Sequence, residues 1–179
     1  MNNKGVFGIF IFFIVLLSIV IIGFMAAMVI SIIDYSSDEL TPIMSELGVY
    51  GDTNMSEVSS YTFTKLDTII QALPWLVGFS YVAALIFSVI FVLSYTYNPN
   101  PAFIGLYFVL IILLIFGCIV MSNMYQDIYS GTDEIATRLQ EQTLMSFMLL
   151  HSPYIMTLIA FITGIYLFAG PKETGGYGI

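Results

Sequence analysis

The residues able to do chemistry are few and scattered. His151 is the only histidine and Cys118 the only cysteine. Ser152 follows His151, but a nucleophile and its base must meet at hydrogen-bonding distance, and adjacency in sequence does not supply that geometry. No third residue completes a Ser/His/Asp set. A bis-histidine haem needs two axial ligands, so His151 reads as a polar residue at an interface. Cys118 lies inside a long apolar run, where a thiol is a small packing group; alone, it forms no intrachain disulfide. Asp34, Asp38 and Glu39 stand close together and could hold a divalent cation weakly, though their spacing matches no calcium loop. There is no phosphate-binding glycine loop, no His-Glu-x-x-His helix and no nucleotide signature. The expectation is a non-enzyme with no cofactor and no metal site.

Composition names the setting. Of 179 residues, 59% are hydrophobic and 9% charged, against about 25% charged in a soluble domain. Three blocks carry no Asp, Glu, Lys or Arg: Gly5 to Ile33, Thr68 to Gln126, and Gln142 to Pro171. The middle block spans 59 residues, too long for one bilayer crossing of about 20 residues and right for two. Asn98-Pro99-Asn100-Pro101 divides it: each proline disfavours helix at the asparagine before it, and Asn100 can cap a new helix with Pro101 at its first position. The fold class is therefore an all-α integral membrane protein of four transmembrane helices in one domain. It has a tight central helical hairpin, a polar loop between spans one and two, and an amphipathic helix before span four.

The spans are expected at about 5–33, 73–95, 102–124 and 153–169, with polar loops at 34–71 and 125–150. The first apolar run, 29 residues, exceeds a signal-peptide core of about 7–15 and lacks a small-x-small site, so it reads as an uncleaved span. In the first loop, Thr41-Pro42 looks like the start of a short helix ending before Gly48, 51–60 reads as loop, and Thr64-Lys65-Leu66-Asp67 fits a capping box opening helix two. Pro74 then falls near that helix's first turns, with a kink expected. Residues 125–131 read as a linker. Thr132-Asp133-Glu134 begins an amphipathic helix of about 133–150, lying on the membrane surface or packed on the first loop. His151-Ser152-Pro153 ends it, with Ser152 as a cap, and Gly170-Pro171 ends span four. Small residues that permit close helix packing are Gly23 and Ala27, Gly78 and Ala84, Gly105, Gly117, and Ala160 with Gly164.

Four spans put both termini and the Asn-Pro turn on one side and both long loops on the other. Lys4, Lys172 and Glu173 give the terminal side +1; the loops carry −6 and −3, within a net charge of −8. Lys4 abuts span one, which places the termini on the cytoplasmic side. The acidic loop face repels nucleic acid and suits a basic protein surface or bound cations, or is simply solvated. Its candidate partner-binding residues are Asp34, Asp38, Glu39, Glu46, Asp133, Glu134 and Glu141. No Asp, Glu, Lys or Arg lies within a span, which argues against an ion-coupled transporter.

A compact four-span chain with an acidic loop after span one, Tyr97-Asn98-Pro99-Asn100-Pro101 as its hairpin, and Asn123-Met124-Tyr125-Gln126-Asp127 closing span three resembles the small polytopic membrane proteins of viruses with an internal membrane beneath an icosahedral capsid. The resemblance implies a virion membrane protein tying the bilayer to capsid proteins, its termini facing the virion interior. From the residues alone, the leading function is a non-catalytic scaffold binding protein partners through its loops. Two alternatives stay open. One is an accessory subunit of a larger membrane enzyme or transport complex. The other is a holin-like or channel-forming homo-oligomer lined by Ser80, Ser88, Ser122, Asn123, Thr157 and Thr163.

Replacing Pro99 and Pro101 together by alanine is expected to loosen the central hairpin and impair membrane insertion. Protease-protection mapping checks this; wild-type topology in the double variant would remove the hairpin reading.

Overall fold

The structure, a computed structural model, describes residues 3–93 and 102–169. The Asn98-Pro99-Asn100-Pro101 turn, the end of span two, the Gly170-Pro171 stop and the tail after it lie outside the described residues. The chain is helical almost throughout: α1 (Asn3–Glu46), α2 (Met55–Leu93), α3 (Ala102–Tyr129), α4 (Glu134–Glu141), α5 (Thr143–Leu150) and α6 (Ser152–Ala169). Strands β1 (Val49–Tyr50) and β2 (Thr53–Asn54) form a minimal antiparallel hairpin between α1 and α2.

Among the described residues, three helical stretches are long and apolar enough to cross a membrane: Phe7–Glu46, Thr68–Ile90 and Ile104–Tyr129. A fourth arises only if α5 and α6, bent by 65° at their junction, count as one. α6 has 18 residues, about 27 Å at 1.5 Å per residue.

The first loop differs most from expectation. Residues 34–46 continue α1, which reaches 44 residues or about 66 Å. Polarity alone does not stop a helix, and no glycine or proline lies between Gly23 and Pro42. The hydroxyls of Ser36 and Thr41 donate to the carbonyls of Ile32 and Ser37, four residues back, each at 2.7 Å. Pro42 removes one backbone bond near the helix end, where water can take the freed Asp38 carbonyl. It sits inside α1 and does not open a separate helix.

Gly48, expected as a stop, follows α1 with a φ of +62°, and Gly51 has the same value at the hairpin turn. Both are left-handed positions that favour glycine. Residues 55–60 are helical, because Asn54 caps α2: its Oδ1 accepts from the Ser56 N–H at 3.1 Å, with Glu57 in the first turn where the helix dipole favours an acid. The Thr64–Asp67 box is thus interior to α2, and Pro74 lies mid-helix rather than near its start.

α1 is the hub, touching α2, α3, α4 and α5. Phe12, Leu16, Val20 and Ala27 on its inner face are almost fully buried. The outer faces of α1, α2 and α3 are equally apolar, with Phe7, Ile22, Phe87, Ile112 and Phe116 among the exposed side chains.

Several of the small residues act as sockets for large side chains of neighbouring helices. A Cβ on Gly23 would stand 2.8 Å from the Tyr81 ring, one on Gly78 2.7 Å from Leu144, one on Gly117 3.0 Å from Leu17, and one on Gly164 2.8 Å from Tyr107. Gly105 faces open space. Ala27 and Ala160 are fully buried, and Ala84 is half-buried. Tyr107 joins three helices: its ring meets Phe13 and Phe168 edge-on at 5.1 and 5.3 Å, and its hydroxyl donates to the Ala160 carbonyl at 2.7 Å.

Gly164→Leu is expected to expel the Tyr107 ring and destabilise the bundle by about 1–3 kcal/mol, whereas Gly105→Ala should be neutral or stabilising by about 0.5–1 kcal/mol. Thermal unfolding in mild detergent followed by circular dichroism checks both. Equal midpoints for the two variants would contradict the socket assignment.

Candidate functional site

The densest polar constellation lies where the apolar part of α1 ends. Arg138, the only arginine, sits in the last turn of α4, where a cation complements the helix dipole. It reaches 100 positions back to α1: Nη1 lies 3.3 Å from Asp34 Oδ2, and Nη2 donates to Asp38 Oδ2. Glu141, one turn on, stands 3.6 Å from Nη1. The two aspartates are four residues apart on one helix face, so one planar guanidinium serves both. The Arg138 side chain is 28% exposed, Asp34 18% and Asp38 57%, so the clasp is half-buried. Burial opposes the charge on Arg138, but Asp34, Asp38 and Glu141 together outweigh it and hold the guanidinium above its ordinary pKa.

Beneath the clasp the expected 133–150 helix breaks in two. Gln142, at φ −78° and ψ 60°, leaves helical geometry between α4 and α5. Its buried side chain crosses to α1, where Nε2 donates to Ser31 Oγ at 2.8 Å and to the Ala27 carbonyl at 3.2 Å. The end of α4 is closed by Ser146, whose hydroxyl donates to the Leu139 carbonyl at 2.6 Å. A serine has one proton to give, so the Tyr125 hydroxyl, 2.8 Å from Ser146 Oγ, is the donor in that pair. α4 thus packs on α1 and α3, which favours the second of the two placements left open for the amphipathic segment. Tyr125, expected in a linker, is fully buried within α3.

The other candidate residues separate by position. Glu39 and Glu46 are exposed on α1. Asp133, not Thr132, is the N-cap of α4, its Oδ1 accepting from the Ala136 N–H at 2.9 Å, and Glu134 is exposed in the first turn. Ser152 is in α6, not its cap: its hydroxyl is buried without a partner among the described residues, and the His151 carbonyl instead accepts from the N–H groups of Tyr154 and Ile155 at 3.0 Å each. His151 stacks on Phe147 at 4.5 Å, with Nδ1 2.9 Å from the Phe147 carbonyl. Of the residues considered as pore-lining, Ser88, Ser122 and Thr163 are buried within the bundle. Among the described residues, no three His, Cys, Asp or Glu side chains group to hold a metal ion. At the acidic cluster after span one, Arg138 stands against two of the three carboxylates considered as cation ligands.

Arg138, Gln142, Ser31 and Ser146 were not singled out from the sequence, and Tyr125 was read only as part of the segment closing span three. One signal was available for Arg138: it is the lone arginine in a loop placed on the same side as the acids of the first loop. Gln142 carried none, since neither glycine nor proline marks the break. Comparison of the chain with family models, curated proteins and solved structures finds no match.

A double-mutant cycle of Arg138→Gln and Asp34→Asn is expected to give a coupling energy of about 1–2 kcal/mol, between the surface and buried limits for ion pairs. Unfolding in mild detergent checks it, and hydrogen exchange over residues 34–46 should rise in Arg138→Gln. A coupling near zero would mean that the clasp contributes nothing to stability.

Proposed function

We propose that the chain is a non-catalytic membrane scaffold that docks a protein partner on the projecting ends of α1 and α2. The reading is supported by one observation. α1 and the start of α2 extend beyond their apolar stretches as a packed pair, and α1 keeps an apolar stripe there. Leu40 and Ile43, three residues apart on α1, are 47% and 54% exposed, and Leu47, in the turn that follows the helix, is 58% exposed. Exposed apolar stripes rimmed by charge mark interaction surfaces. Glu39 and Glu46 lie on the neighbouring row of the same helix, so the fitting partner has an apolar ridge edged with Lys or Arg.

On this reading four spans cross the bilayer, the fourth being α5 with α6, and the termini lie on the side opposite the stalk. A capsid shell above an internal membrane, the setting implied by the viral resemblance, would supply such a partner. Arg138 engages Asp34 and Asp38, so partner contact falls to Glu39 and Glu46.

Mass spectrometry of the complex extracted in mild detergent tests the proposal. Partner proteins at fixed stoichiometry are expected, and capsid proteins among them would support the virion setting. Leu40→Ser with Ile43→Ser should lower their recovery at least about tenfold, and Glu39→Gln with Glu46→Gln about three- to tenfold, since rim charges contribute less than a buried apolar centre. Full retention in the serine variant, or a lone homo-oligomer, would overturn it. Recovery with redox or transport subunits would favour the accessory-subunit reading.

A further inference from the structure

A groove of about 800 Å³ lies between α3 and α6, within the size range of small-molecule sites. α3 ends and α6 begins at the same end of the bundle, where Ser122 Oγ donates to the Leu150 carbonyl at 2.7 Å. The lining therefore grades along its length. Asn123, Gln126 and Tyr154 stand at the stalk end; Ile115, Ile119, Leu158 and Phe161 line the part nearer the middle of the helices. The hydroxyls of Ser122 and Thr157 are engaged by backbone carbonyls. The side-chain amides of Asn123 and Gln126 and the Tyr154 hydroxyl have no hydrogen-bond partner among the described residues, although all three residues are exposed.

We infer that this groove holds one glycerolipid with a neutral or zwitterionic headgroup. One acyl chain lies along Ile115, Ile119, Leu158 and Phe161, and the ester carbonyls accept hydrogen bonds from Asn123, Gln126 and Tyr154. Unpartnered amides at the edge of an apolar medium need acceptors, and at that depth lipid esters supply them. The headgroup class follows from charge. No lining residue is ionised, Asp127 is exposed one residue beyond Gln126, and both loops at that end are acidic. An anionic headgroup would meet repulsion without a cation to offset it. The inference rests on the membrane reading of α3 and α6 and is independent of partner docking.

The test uses the full chain purified in mild detergent and native mass spectrometry with equal amounts of dioleoyl-phosphatidylcholine or dioleoyl-phosphatidylglycerol. A single-lipid adduct is expected, at least about threefold more abundant with phosphatidylcholine. Asn123→Leu with Gln126→Leu should reduce it about fivefold. So should Leu158→Trp, which fills the groove from an exposed position without touching the polar end. Equal or greater retention of phosphatidylglycerol would overturn the headgroup assignment. An unchanged adduct in both variants, or none in the wild type, would overturn the site. Release of the chain from membranes by alkaline carbonate would overturn the membrane reading itself, and the site with it.

Discussion

A single guanidinium joins the two halves of this molecule. Asp34 is the first charged residue after the apolar stretch of α1, and Arg138 meets it at 3.3 Å while also engaging Asp38. At the border of an apolar region neither partner is fully solvated. Removing Arg138 would leave two neighbouring carboxylates, one of them half-buried, without the cation that both face, which is why such groups resist separation even where their net contribution is modest. The clasp and the buried Ala136 and Leu139 hold α4 on its neighbours, and Gln142 ties the junction of α4 and α5 to α1.

Below the clasp a different constraint governs packing. Where inner and outer faces are equally apolar, burial alone does not distinguish the bundle core from a surrounding lipid, so shape and hydrogen bonds must. Large side chains fill glycine sockets, and several tertiary polar contacts run from side chain to backbone: Tyr107 to Ala160, Ser122 to Leu150, Gln142 to Ala27, while Gln142–Ser31 and Tyr125–Ser146 join side chains. Other hydroxyls turn back on their own helices, as Ser80 does to Leu76 at 2.8 Å. This leaves the helical backbone intact, which an apolar solvent demands.

The apolar helices were legible in the sequence because they rest on composition, which tertiary contacts do not alter. The boundaries of the polar segments were not. Residues 34–46 and 55–60 carry polar side chains without helix breakers, and a solvated helix reads much like a loop. Asn54 with Glu57 had the form of a helix start, ten residues ahead of the Thr64–Asp67 pattern, and their capping outcompeted it. The clasp was hidden for a different reason. Its acids were visible as a cluster, but the cation that meets them lies 100 positions away, and no local pattern connects the two. The break at Gln142 is a tertiary event, made by a side chain that bonds to α1.

The continuity of α1 has a mechanical consequence. A helix of about 66 Å without a hinge-forming glycine or proline between Gly23 and Pro42 behaves as a stiff rod over the stretch that leaves the apolar zone. The inclination of the projecting end and that of the apolar segment are then one angle. A load applied sideways near Leu40 is felt as torque at Ala27 and Ile30, where the same stretch is buried in the bundle, and a change in the thickness of the surrounding layer that tilts the rod sweeps its tip through an arc.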